Sequence, residues 1–479
     1  MSKTPISSSI LLLIFSLFAA HQAMAQGTLR VGAARVDITP QSDPANPPTG
    51  KYAHEKLCAR AIVLDTGATR AALIGVDLGG LSEVIWQAAS KQIATELKCP
   101  IENIIMSATH THSGWGPGGF RALTDTNAPP PPIIGQVVDA VRQAKAKLQP
   151  ARVGFGGGRS YVNVNRDAID PETHLWTQAP NLDGPSDKAV AVVEFVASDG
   201  KPIAVYMGYA MHPVNGFLSG LTSADFAGAA SRYVEQAFDD KAVAVFAQGA
   251  SGDENPLYLR AATNALASRS GTPITGYVMT REPIEAPIRD GKVNAGPLDP
   301  QVRDQLERIM DSEGVLLGEE VIRVMTNIKR LDSSPSIAAE QETVTCPGRK
   351  RIDTSREGNP GTYVDGDPVE IRLGALRIGN IALTSVDAEL YTAIGLRLKR
   401  ESPMANTVLV TLANGRADSG YIPNDEAFGA NTFLAKNPRR AGQKGKELRF
   451  LHGAIKWAVH ARRQVGREYQ WCILREPVF

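Results

Sequence analysis

Apolar residues along this 479-residue chain fall into short runs that end repeatedly in polar clusters. Leu29 to Pro40 (LRVGAARVDITP) reads as a strand closing in a turn. Arg60 to Leu64 and Ala71 to Val76 read as two more, around Asp65-Thr66-Gly67, followed by a helix from about Ser82 to Leu97. The apolar run Ile104-Ile105-Met106 comes next. After the four prolines of Ala128 to Pro132, which cannot be helix interior, a helix spans Ile134 to Leu148. Arg152 to Phe155 predicts a short strand opening into Gly156-Gly157-Gly158, and Tyr161 to Arg166 another. Ala189 to Ala197 and Ile203 to Tyr209 form a hairpin around Asp199-Gly200, and a helix starts at Ser223-Ala224-Asp225 and runs to about Phe238. Val243 to Ala247 has the all-apolar composition of a buried strand.

The second half repeats the theme. Ala261 to Pro300 is polar and turn-rich, an insertion or flap, and Gln301 to Lys329 is a long helix. Strands at Ile337 to Thr345 and Val369 to Leu376 flank a glycine-rich excursion, Arg349 to Asp367. A buried strand at Ile381 to Val386, a helix at Leu390 to Arg400, a strand at Val408 to Leu412 and a helical tail from Lys446 to Val465 complete the chain. This alternation predicts an α/β fold, with mixed buried sheets flanked by helices and a metal site at the strand ends.

A 43% hydrophobic and 21% charged composition supports a globular core, and a net charge of +1 offers no electrostatic case for nucleic acid or an anionic membrane surface. Residues 1–25 read as a cleavable signal peptide. Lys3 precedes the apolar run Ile10 to Ala20, too short to span a bilayer, and Ala23-Met24-Ala25 is a small-x-small cleavage pattern. The product, residues 26–479, is therefore expected to be periplasmic or secreted, with no transmembrane segment. Cys58, Cys99, Cys346 and Cys472 are then free to form disulfides, with three possible pairings.

Five strand ends carry ligand-capable groups: His110 and His112, His212, Asp253 and Glu254, Glu389, and Tyr421. In Ser107 to Gly119 (SATHTHSGWGPGG) the two histidines share one face if the segment is extended, and the glycines let backbone approach a ligand. Such pairs also occur on ordinary strands; the other strand ends point to a composite site. Two imidazoles and a carboxylate make a familiar catalytic zinc set. Arg166, after an alternating strand, is a candidate carbonyl or anion binder or a surface ion-pair arginine. Ser251 sits in a turn like a nucleophile elbow, with the second glycine one residue early.

These segments carry a resemblance. DITP at Asp37 to Pro40, THTHSG at Thr109 to Gly114, NVNR at Asn163 to Arg166 and MHPV at Met211 to Val214 are four of its motifs. GDENP at Gly252 to Pro256, the Glu389 to Leu398 segment and the Asn414 to Ile422 segment complete it. Together, from about Gly32 to Gly429, the chain resembles the catalytic domain of the neutral, non-lysosomal ceramidases, which are zinc amidases. The resemblance implies a Zn2+ ion held by His110, His212, Glu389 and Tyr421, with His112 and Arg166 lining the reacting carbonyl.

Three departures accompany it. The family's serine, proposed as nucleophile in its GDxSP motif, is Asn255 here, and an amide cannot take that role. A second family tyrosine falls at or near Phe433, and the sequence carries no C-terminal β-sandwich of the kind full-length members have. The expected function is a zinc-dependent hydrolase cleaving an N-acyl amide, with Asp253, Glu254 or His112 as general base. The alternatives are a zinc hydrolase for a polar, sugar- or amino-acid-linked substrate and a catalytically inactive metal-binding homologue.

Overall fold

A computed structural model of the chain describes residues 27–40, 52–114, 132–217, 221–258, 300–352, 362–417 and 420–429. In chain order, β1 (Arg30–Asp37), β2 (Tyr52–Ala53), β3 (Cys58–Asp65) and β4 (Arg70–Val76) lead through α1 (Glu83–Leu97) to β5 (Ile104–Ala108). Next come α2 (Ile133–Ala146), β6 (Gln149–Arg159), β7 (Asn163–Ile169), β8 (Trp176–Asn181), β9 (Ala189–Ala197) and β10 (Pro202–Tyr209). β11 (Leu221–Thr222), α3 (Asp225–Ala237), β12 (Val243–Gln248) and β13 (Glu254–Pro256) follow. The remainder is α4 (Pro300–Asn327), β14 (Leu331–Asp332), β15 (Ile337–Arg351), β16 (Tyr363–Ile378), β17 (Ile381–Val386), β18 (Glu389–Leu390), α5 (Thr392–Glu401), β19 (Asn406–Val410), β20 (Tyr421–Ile422) and α6 (Asp425–Gly429).

The layering follows from which faces are apolar. Ile85 and Trp86 of α1 and Val137 and Val141 of α2 pack on one face of β1, β3, β4 and β5. The opposite face of those strands, with Ile62, Leu73 and Ile105, meets Val193, Phe195, Tyr206 and Val245 of β9, β10 and β12. The outer face of β9, β10 and β12 is covered by Phe226 and Val234 of α3 and by Leu317 and Val321 of α4. The result is helices, sheet, sheet, helices: an α/β fold of mixed buried sheets. Both facing layers belong to one nine-stranded sheet, β12-β10-β9-β6-β1-β3-β4-β5 with β14 beside β6, and a separate sheet, β15-β16-β17-β19, contributes Leu376, Leu383 and Val408 to the central layer. Each large side chain buried this way contributes about 1.5–3 kcal/mol.

Three strand–helix–strand units position the chemistry. β4 and β5 run parallel around α1, β10 and β12 around α3, and β17 and β19 around α5. Parallel pairs joined by a crossover helix end at the same side of the sheet, so their carboxyl ends open onto one region. Asn414 ties two of these units together: its Oδ1 accepts from Met106 N at 2.9 Å and its Nδ2 donates to Ile104 O at 3.2 Å.

Several expectations change. The strand read at Arg152 to Phe155 runs on through Gly156, Gly157 and Gly158 to Arg159, because β9 pairs with it throughout. Its glycines admit α4: a Cβ on Gly154 would lie 2.5 Å from Ile328 Cγ2, and one on Gly156 2.5 Å from Val324 Cγ1. The excursion at Arg349 to Asp367 is in part the continuation of β15 and β16, with Arg349 paired to Asp365; residues 353–361 lie outside the described residues. Trp176–Asn181 is a strand the sequence pattern did not suggest. Cys58 and Cys99 carry free thiols. The expected signal peptide, the prolines 129–131, the expected insertion over 261–299, Cys472, Phe433 and the expected helical tail lie outside the described residues.

Candidate metal centre

β5 ends at Ala108, and the chain then turns sharply. His110 adopts φ 69°, the left-handed region that ordinary side chains avoid. Its N–H bonds Leu78 O at 2.9 Å, and its Nδ1 lies 2.6 Å from Gly79 O, both just past the end of β4. His112 N bonds Pro213 O at 3.1 Å, and its ring stands edge-on to Phe217 with centroids 5.3 Å apart. The two histidines are thus brought together by a turn, not by alternation along an extended strand.

His212 follows β10 and is fully buried. Its Nδ1 contacts Ser251 O at 2.7 Å and Glu254 O at 3.1 Å, both in the turn after β12. Glu389 opens β18, which pairs in parallel with β20 so that Glu389 lies opposite Tyr421. Glu389 Oε2 is 3.1 Å from His110 Nε2 and 3.0 Å from His212 Nε2. His112 Nε2 is 3.3 Å from His110 Nε2, and the Tyr421 hydroxyl is 3.4 Å from His212 Nε2, its ring stacked on the imidazole.

The donor chemistry tests whether a cation fits. A carbonyl oxygen only accepts, so Nδ1 of His110 and of His212 each carries the proton. Their Nε2 lone pairs then face the same carboxylate oxygen, an electron-rich arrangement that a shared cation relieves. Ligand atoms of His110, His112 and His212 lie within 4.8 Å of one another. Imidazole, carboxylate and phenol together suit zinc or a similar transition metal. The residues therefore fit a metal ion.

Charge supports this. Burial and the Arg166 cation push His212 down to about 4. Burial and the neighbouring imidazoles also lower His112 well below its usual value. Neutral imidazoles are the form that binds metal.

Arg166, on β7, is buried beside this cluster. Its Nη2 donates to Gly252 O at 2.6 Å and its Nη1 to Asn255 Oδ1 at 3.2 Å; it also hydrogen-bonds the Tyr421 hydroxyl. It is not a surface ion-pair residue. Asn255 pairs with Val164, two residues from Arg166 on β7, so both side chains share one face of that small sheet. Glu254, one residue earlier, points to the other face. Its carboxylate accepts from Asp187 N at 2.6 Å, Ser186 Oγ at 2.8 Å and Thr392 Oγ1 at 2.9 Å. Asp253 is likewise engaged, by Thr392 N at 2.7 Å and Asn165 Nδ2 at 3.0 Å. The Ser251 hydroxyl is buried and bonded to the Gln248 amide; what Ser251 offers the site is its carbonyl. Sequence reasoning missed the bracing carbonyls of Gly79, Ser251 and Glu254 and the ring of Phe217. Backbone oxygens leave no trace in residue type.

A layered α/β scaffold with imidazoles and a carboxylate converging at the carboxyl ends of parallel strands defines a protein that could hold a metal ion there. The family model for "Neutral/alkaline non-lysosomal ceramidase, N-terminal" matches residues 47–273. The neutral ceramidase of Pseudomonas aeruginosa is 25% identical over 442 residues, covering 79% of this chain and 63% of that protein. Neutral ceramidase A of Dictyostelium discoideum is 26% identical over 229 residues, 42% of this chain and 31% of that protein. The chain thus spans less than two thirds of the length of these relatives. Among solved structures, the P. aeruginosa neutral ceramidase superposes with a TM-score of 0.64 at 16% identity, over 92% of this chain and 76% of that one. A ceramidase complexed with C2 superposes with a TM-score of 0.66 at 17% identity, over 93% and 78%. The match over residues 47–273 and the curated neutral ceramidases support assigning the chain to the neutral/alkaline non-lysosomal ceramidases, whose fold it shares.

Proposed function

We propose that this protein is an exported, zinc-dependent hydrolase that cleaves an N-acyl amide bond. The reaction adds one water across the C–N bond: its hydroxyl to the acyl carbon, its remaining proton to the amine nitrogen. The observation that carries the reading is the meeting of His110 Nε2 and His212 Nε2 on one oxygen of Glu389, at 3.1 and 3.0 Å. His110, His212, Glu389 and Tyr421 would hold the ion, which when bound supplies Lewis acidity. Arg166 sits where it can donate to the substrate carbonyl, and neutral His112 can accept a proton from the attacking water. Asp253 and Glu254 hold the frame, since their oxygens are already taken.

The substrate class, a lipid or other small amide, comes from the family and from the names of the relatives. Export rests on the leader at residues 1–25; N-terminal sequencing of the protein recovered outside the cytoplasm is expected to begin at Gln26. Among the described residues no helix is long and apolar enough to cross a membrane.

The test is metal analysis of purified protein combined with fatty-acid release from a short N-acyl amide. About one zinc per chain and release abolished by His110→Ala are expected. Zinc with no release would shift the reading to a polar substrate or an inactive homologue. No zinc, together with a harmless His110→Ala, would remove the metal altogether.

A further inference from the structure

The turn that braces His212 ends in a residue whose side chain the mechanism above does not use. We propose that Asn255 is a catalytic residue that donates, through Nδ2, to the substrate's carbonyl oxygen as negative charge gathers on it. This rests on the amide-hydrolase reading of the site.

The orientation of the amide follows from chemistry. A guanidinium has five donors and no acceptor. The atom of Asn255 facing Arg166 Nη1 at 3.2 Å must therefore be its oxygen, and Nδ2 with its two hydrogens faces the other way. No described residue accepts a hydrogen bond from that Nδ2, although the side chain is 4% exposed. Nδ2 is not among the buried polar atoms shut away without a partner, so it keeps some exposure to solvent.

The location follows from the strand. Asn255 stands one peptide beyond Glu254, whose carbonyl accepts from both His212 N and His212 Nδ1 at 3.1 Å. Its neighbour Arg166 also hydrogen-bonds Tyr421, so one guanidinium links the metal-side phenol to the Asn255 amide. Arg166 itself is fixed by Gly252 O at 2.6 Å. The donor is thus held before substrate arrives, and a preorganised donor stabilises developing charge at no cost of reorientation. As a water oxygen adds to the carbonyl carbon, the π pair moves onto the carbonyl oxygen. Nδ2–H stabilises that charge until the pair returns and the C–N bond breaks.

The substitution of an amide for the family's serine then has a physical meaning. The position gives up a hydroxyl and gains a fixed donor, consistent with attack by water instead of a side chain.

The test uses the zinc-loaded full chain with Asn255→Asp, Asn255→Ala and Asn255→Ser. Asn255→Asp is nearly isosteric and still pairs with Arg166, but it cannot donate when ionised. Zinc content and thermal midpoint are measured first. The expected result is a fall in kcat of about 10²–10³-fold for the Asp and Ala variants, with KM for a short N-acyl amide within about twofold. Independently of turnover, calorimetric affinity for a short alkylphosphonate, an anionic tetrahedral mimic, is expected to fall at least about tenfold in both. Should Asn255→Ala fail to fold, the Asp variant carries both measurements. Unchanged kcat and unchanged phosphonate affinity would overturn the proposal. So would an Asn255→Ser protein faster than the parent with a burst of acyl-enzyme. If the parent hydrolyses no amide yet binds phosphonate in an Asn255-dependent way, the amide reading fails and the donor role stands.

Discussion

His110 and His112 bring their Nε2 atoms within 3.3 Å of each other, although neither lies on the strand that leads to them. The left-handed backbone at His110 makes this possible, and it is strained by about 1–2 kcal/mol for an ordinary residue. Hydrogen bonds to Leu78 O and Gly79 O offset that strain. Asparagine tolerates this backbone better than alanine does. In metal-free protein, His110→Asn is therefore expected to be more stable than His110→Ala by about 0.5–1 kcal/mol in urea unfolding, while neither variant retains metal. Equal midpoints would mean that the turn carries no strain.

Metal removal has a directional consequence. Without a cation, two imidazole lone pairs confront one carboxylate oxygen, so a chelator is expected to lower the thermal midpoint. Adding zinc back at about 100 times its dissociation constant restores about 2.7 kcal/mol. A His212→Ala protein is expected to show no zinc-dependent shift, since its remaining donors no longer enclose the ion. Calorimetric scans of both proteins with and without zinc check this.

Much of this centre was legible because residue type and strand ends survive in sequence. His110, His212, Glu389 and Tyr421 each follow or begin a recognisable element, and the crossover helices bring those ends together. The illegible parts share a cause: partners supplied by distant backbone. Gly156 to Gly158 looked like a loop opening because nothing local says that α4 lies across Gly156. Glu254 read as a candidate general base, and the contacts of its carboxylate with Ser186, Asp187 and Thr392 leave no sequence signal because β13 spans only Glu254–Pro256. The β16 arm from Val364 to Pro368 is exposed, so it carries no hydrophobic period.

A buried acid pair bridged by Asn215 sets a dependence of stability on pH. Asn215, three residues past His212, donates through Nδ2 to Asp225 Oδ1 at 3.0 Å and to Glu313 Oε2 at 2.7 Å. Burial and the Asp225 charge raise the Glu313 carboxyl well above 4.5, so the folded state holds its proton longer than the unfolded chain does. Stability from that proton is fully present below about pH 4.5 and is lost as pH rises toward the raised value. Glu313→Gln is therefore expected to flatten the decline of unfolding free energy above pH 5. Asn215→Ala, which leaves the two carboxylates facing each other without their shared donor, is expected to cost about 2–4 kcal/mol. A decline of the same slope in the Gln variant would assign it to another group.

The packing of β6 on α4 makes a sterically sharper prediction. Gly156→Ala would place a Cβ 2.5 Å from Val324 Cγ1, closer than side chains approach. The helix must shift, at a cost of about 1–3 kcal/mol. Gly157→Ala, where a Cβ meets nothing within 4 Å, is expected to be neutral or slightly stabilising. Urea midpoints of the two variants, adjacent in sequence, separate packing from strand propensity. If both cost the same, the glycines serve the strand and not the helix.

The choice of general base is open to a kinetic decision between His112 and Glu254. Burial pushes the Glu254 carboxyl up to about 8, and its oxygens are engaged by Ser186, Asp187 and Thr392 on the face away from Arg166. Burial and the adjacent imidazoles lower His112 well below 6.5, so it is neutral and able to accept a proton throughout the neutral range. A histidine base predicts a kcat/KM profile whose acid limb lies below pH 6.5 and is flat above it. A Glu254 base predicts activity that climbs through about pH 8, because only the ionised carboxylate can act. His112→Ala is expected to lower kcat by about 10²–10⁴-fold, and Glu254→Gln by less than about tenfold with the acid limb unmoved. Loss of a limb near pH 8 in the Gln variant would transfer the role to Glu254 and require β13 to turn over when substrate binds.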